Sequence, residues 1–110
     1  MILGLEPQIR GVFVYHFNGE LLAGGIRGGI NPHMPREELA KSALNAILRW
    51  KTEELLVPFL GRGRYSMTEF EKIKRITFPL DESVLLIVGM EVEVEHNVII
   101  NKILQFIYEK

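Results

Sequence analysis

The chain has no cysteine, which excludes a disulfide framework, a thiolate nucleophile and any cysteine-ligated zinc or iron–sulfur cluster. Its only aspartate is Asp81. Ser42, Ser66 and Ser83 sit in no nucleophile elbow, and no His-Glu-x-x-His pattern occurs. No apolar run approaches the ~18 residues of a membrane helix, and the apolar start Met1–Pro7 lacks the basic leader of a signal peptide. The formal net charge is only −1, so no global field draws the chain to nucleic acid or to an acidic membrane. Together these absences predict a soluble, cytoplasmic, non-enzymatic protein with no membrane span, no cofactor and no structural metal. Few glutamines against many Ile, Glu, Lys and Arg point toward a thermophilic source, an archaeal one in our reading.

The 110 residues, 47% hydrophobic and 25% charged, suffice for one domain over 1–110 with a single core. The most informative segment is Val84-Leu85-Leu86-Ile87-Val88-Gly89-Met90, apolar at every position. A strand apolar on both faces must be covered on both faces, so it predicts a sheet between helical layers. Leu85, Leu86, Ile87 and Val88 should all be nearly inaccessible. The strand is expected to run on through Glu91, Glu93 and Glu95.

Ile9 to Tyr15 reads as a strand with Ile9, Phe13 and Tyr15 on one face and Val12 and Val14 on the other. Asn18-Gly19 predicts a hairpin whose two central residues both need positive φ, returning along Leu21 to Ile26. Both strands look apolar on both faces. From Arg36 to about Thr52 polar positions recur every three or four residues opposite Leu39, Ala43, Ala46, Ile47 and Trp50, with Ala40, Leu44 and Leu48 widening the stripe. That is an amphipathic helix, with Pro35 in its first turn and Glu37 and Glu38 at its positive dipole end. Glu54 to Gly63 reads as a loop, and Tyr65 to Phe70 as a short strand or an extended lead-in. Lys72 to Phe78 reads as a bulged strand near a sheet edge, where lysines discourage aggregation. Asn97 to Tyr108 has polar residues every fourth position and is a helix despite its β-branched residues.

The chemistry-bearing groups form no recognisable site. His16, His33 and His96 are scattered without metal-ligand spacing and read as ordinary surface histidines. Gly24-Gly25 and Gly28-Gly29 lack the lysine or the direct helix of a phosphate loop and read as a flexible loop. Glu91, Glu93 and Glu95 on an extended strand do not converge on a calcium ion. Arg62, Arg64, Lys72, Lys74 and Arg75, with Tyr65 and Phe70 between them, form a basic cluster too short to predict a nucleic-acid partner.

The order strand–strand–helix–strands–helix resembles the longin and roadblock superfamily, α/β (α+β) domains with an antiparallel sheet of about five strands sandwiched between helices. Gly11 to Leu22 resembles the first hairpin of such domains. Phe70 to Ile107 is similar to the closing half of longin-type domains, and the absence of a helix before Ile9 makes the chain look closer to longin than to roadblock. The resemblance implies a non-catalytic interaction platform that pairs as a homodimer or with a related longin/roadblock protein, with a small GTPase as a further partner. It places the candidate interface at Trp50 on the first helix and at Lys72, Lys74, Ile76 and Phe78 on the edge-like strand. Trp50 shares a stripe with Leu39 and Ile47, so a core role for it stays open. The alternative is a PAS- or profilin-like sensor whose sheet encloses a small ligand.

Overall fold

The computed structural model describes residues 7–28 and 34–108. His33, part of the glycine-rich loop and the segment preceding Pro7 lie outside them. The order is β1 (Ile9–His16), β2 (Leu21–Ile26), α1 (Arg36–Glu53), a 3-10 turn (Glu54–Leu56), α2 (Val57–Leu60), β3 (Ser66–Glu69), β4 (Ile73–Pro79), β5 (Val84–Glu91) and α3 (His96–Tyr108). The strands form one antiparallel five-stranded sheet in the order β2-β1-β5-β4-β3.

β5 lies at the centre, as an all-apolar strand must. Its side chains alternate between two cores. Leu85 and Ile87 meet Ala43, Ala46 and Ile47 of α1, with Tyr15 beside them. Leu86, Val88 and Met90 meet Ile99, Ile100 and Ile103 of α3, with Ile76 and Phe78 beside them. None of Leu85, Leu86, Ile87 and Val88 is more than 5% exposed, as the three-layer reading requires. Each such buried side chain contributes about 1.5–3 kcal/mol of hydrophobic stabilisation.

Several local expectations change. Ile9 packs with Val12 and Val14 rather than with Phe13 and Tyr15, because the register against β5 shifts between Ile9 and Gly11. One displaced residue moves a side chain to the opposite face. Of the two turn residues Asn18 and Gly19, only Gly19 has positive φ, at 99°. The Gly19 amide bonds the His16 carbonyl and the Asn18 side chain accepts from the Glu20 amide, giving a three-residue connection in place of a two-residue turn. β2 is an edge strand whose Leu21 and Leu22 are exposed, so it is not covered on both faces. Pro35 is the N-cap of α1 and precedes its first turn.

The Lys72–Phe78 strand is corrected most. β4 is interior, hydrogen-bonded to β5 and β3 in unbroken register, so it is neither an edge nor bulged. Lys74 shares the α3 face with Ile76 and Phe78 and is itself buried, its ammonium donating to the Val94 carbonyl at 2.8 Å and to His96 Nδ1 at 3.0 Å. A lysine in a strand is therefore no mark of an edge when its charge is bonded at the far end of its stem. β5 stops at Glu91, where the Val94 amide returns to the Glu91 carbonyl, so Glu93 lies in a turn and Glu95 immediately before α3, neither along a strand. Residues 54–60 form two short helical turns instead of a loop.

Candidate functional site

Where α1 ends and β3 begins, chain order and packing gather the surface features that the core does not absorb. The buried stripe of α1 is narrower than its apolar content suggests. Ala43, Ala46 and Ile47 face the sheet, while Leu44 and Leu48 are exposed. Beyond them Leu55, Phe59 and Leu60 of the helical turns are among the most exposed apolar side chains, Phe59 at 83%. β3 beside this rim is the outer strand of the sheet and has no neighbour on its far side among the described residues.

Trp50 fixes the geometry of the rim. It is half-buried, and its indole Nε1 donates to Thr77 Oγ1 at 2.8 Å, tying α1 to β4. Gly63 passes flat against the ring: a Cβ there would lie 2.5 Å from Trp50 Cζ3, so only glycine fits without displacement. The contact separates two hollows. The larger, about 860 Å³, lies between α1 and β3, with Arg49, Glu53, Leu56, Leu60, Arg62 and Arg75 in its walls and Thr68 and Thr77 beneath. The smaller, about 480 Å³, is edged by Phe17, Glu53, Glu54, Asp81 and Glu82. The larger one is a surface groove open to solvent.

Arg75 rises from the α1 side of β4. It bonds Ser42 Oγ and stands 5.8 Å from the Phe70 ring centre. Burial, then the nearby Arg49 charge, holds its guanidinium below the usual arginine range. Arg49, Arg62 and Arg75 have no ion pair among the described residues. Asp81 is held below the usual carboxylate range by the Ser83 amide at 2.7 Å, then by the Ser83 hydroxyl, the Val84 amide and the Arg62 charge.

The five candidate interface residues separate. Trp50 sits at the rim and Lys72 is exposed, but Ile76 and Phe78 are fully buried and Lys74 nearly so. Those three lie under α3, on the opposite face of the sheet from Trp50, because period-two alternation sends them there. The basic cluster is likewise divided. Arg64 stands 5.4 Å from the Tyr108 ring centre, Lys74 faces α3, and Arg62 and Arg75 enter the groove. His16 Nδ1 accepts from the Asn18 amide and His96 serves Lys74. No three His, Asp or Glu residues among the described ones are placed to hold a metal ion. No helix there is long and apolar enough to cross a membrane. Arg49 was missed in the sequence because it looks like one more polar position on α1. Arg75 was legible only as a member of the basic run.

A Roadblock/LC7 domain from Streptomyces avermitilis is similar in structure at TM-score 0.72 and 12% identity, over 98% of this chain and 87% of that one. The gliding protein MglB from Thermus thermophilus is similar at TM-score 0.73 and 15% identity, over 96% and 78%. An MglB with tetrameric arrangement is similar at TM-score 0.69 and 18% identity, over 98% and 82%. The fold is therefore the longin/roadblock-like three-layer fold. The sequence matches no curated protein. Over residues 1–110 it matches one family, and the chain thus belongs to the family of unknown function DUF6659.

Proposed function

We propose that the chain is a non-catalytic interaction module that pairs, with a second copy or a related roadblock-like chain, through the outer side of α1, the turns at 54–60 and the free edge of β3. The interface thus keeps the Trp50 end of α1 and moves from β4 to the strand beside it. The observation that carries the reading is the coincidence of an open strand edge with exposed Leu48, Leu56 and Leu60, which line one groove with Ser66 and Thr68 of β3, and with exposed Leu55 and Phe59 on the same helical turns. An uncovered edge is a template for another strand, and large exposed apolar side chains beside it provide area to bury. A copy laid antiparallel against β3 would extend the sheet and bring the two α1 helices together, the self-complementary contact of a two-fold dimer. The tetrameric arrangement of one similar MglB supports association as the mode of action. A small GTPase is the further partner, recruited by the assembled pair.

Light scattering across the micromolar range tests this. The wild type should approach twice the monomer mass, and Phe59→Glu should remain monomeric with an unchanged circular dichroism spectrum. A wild type that stays monomeric throughout, alone and mixed with roadblock-like chains and small GTPases, overturns the proposal.

A further inference from the structure

We infer that the groove between α1 and β3 binds the phosphate group of a small molecule through the guanidinium groups of Arg75 and Arg49. The inference goes beyond pairing and rests on the protomer's own residues. Arg75 is partly withdrawn from water, yet its partners are a neutral serine hydroxyl and an aromatic ring. A cation in that position is normally matched by a carboxylate, because removing it from water unpaired is costly. Here a second guanidinium, Arg49, lines the same groove, and Arg62 stands at its margin. The one carboxylate in the lining, Glu53, forms no ion pair with any of them. Arg49 and Arg75 therefore face the groove without an ion-pair partner among the described residues.

The rest of the lining is rich in donors. Thr77 Oγ1 accepts from Trp50, so its own proton is directed elsewhere, and the Thr68 and Ser66 hydroxyls lie nearby. Planar guanidinium forks and hydroxyl donors match the tetrahedral oxygens of a phosphate. The volume, about 860 Å³, is that of a small-molecule site, and Leu48, Leu56 and Leu60 offer an apolar wall for the body of the ligand.

Calorimetric titration with inorganic phosphate, pyrophosphate and ATP, against sodium chloride at matched ionic strength, tests the site. Pyrophosphate or ATP should bind saturably. Arg75→Gln should weaken that binding about tenfold and Arg49→Gln about threefold, while Lys102→Gln on α3 leaves it unchanged. Arg49 is exposed, so its variant keeps the test decisive where Arg75→Gln fails to fold. ATP binding tighter than pyrophosphate identifies a ligand with an organic body. Equal binding identifies the free oxyanion, and either result supports the site. Repeating the titration on Phe59→Glu separates this inference from pairing, since the site belongs to one protomer and binding should persist. Absence of saturable binding up to about 10 mM, or binding unaffected by both arginine variants, overturns it.

Discussion

Phenylalanine to alanine at two positions separates core from contact surface within one chain. Phe78 is fully buried in the core under α3 and stands 6.3 Å from the Tyr65 ring at a 41° tilt. Deleting its ring removes buried area and leaves a cavity, a loss of about 3–5 kcal/mol that includes the smaller aromatic-pair contribution. Against a total of about 5–15 kcal/mol for a domain of this size, that leaves the native state marginal. Phe59 carries the same ring, but 83% of the residue is exposed, so the monomer should lose no more than about 0.5 kcal/mol. Urea unfolding at low micromolar concentration measures both, followed by the fluorescence of Trp50, the only tryptophan. Trp50 is a suitable reporter because unfolding breaks its contacts with Thr77 and Gly63 together. The midpoint should fall sharply for Phe78→Ala and hardly move for Phe59→Ala. Equal losses at the two sites, or less than about 1 kcal/mol at Phe78, would refute the assignment of β4 to the interior.

Two further outcomes follow from single contacts. Gly63→Ala drives a methyl group into the indole that Thr77 holds, and should cost about 1–3 kcal/mol in the same assay. Gly25→Ala, with open space around its Cβ, should cost far less. Burial holds the Tyr15 phenol above its ordinary value of about 10, so the folded state favours the neutral form. Its contribution to stability is complete below about pH 10 and lost as pH rises through the folded value, so alkaline unfolding curves of the wild type and Tyr15→Phe should diverge only above about pH 10.

The layers of the fold were legible because they follow from local pattern. An apolar run without alternation demands cover on both sides, and Val84–Met90 received it from α1 and α3. α3 was legible through its four-residue polar period despite its β-branched residues. What depends on neighbours was not. The face of Ile9 turns on a register shift that no single strand records. Lys74 resembled an edge residue because the carbonyl and imidazole that receive its charge lie some twenty residues away. Leu44 and Leu48 widened the apparent core stripe, and their exposure emerges only once the width of the sheet beneath α1 is set. The same holds for the groove. Arg49 and Arg75 are distant in sequence and converge only through the packing of α1 on β4, so the sequence showed Arg75 in a basic run without showing that Arg49 of α1 lies near it.

Hydrogen exchange of the β3 amides at two protein concentrations tests the pairing claim most directly. The amides of Ser66–Glu69 that do not bond β4 face solvent in a monomer and would bond a neighbouring strand in a pair. If the chain pairs through β3, these amides become protected as concentration rises, together with those on the outer turns of α1, and Phe59→Glu abolishes the change. Amides of β3 that exchange at the same fast rate at every concentration, in a protein that light scattering finds associated, would contradict pairing through this edge.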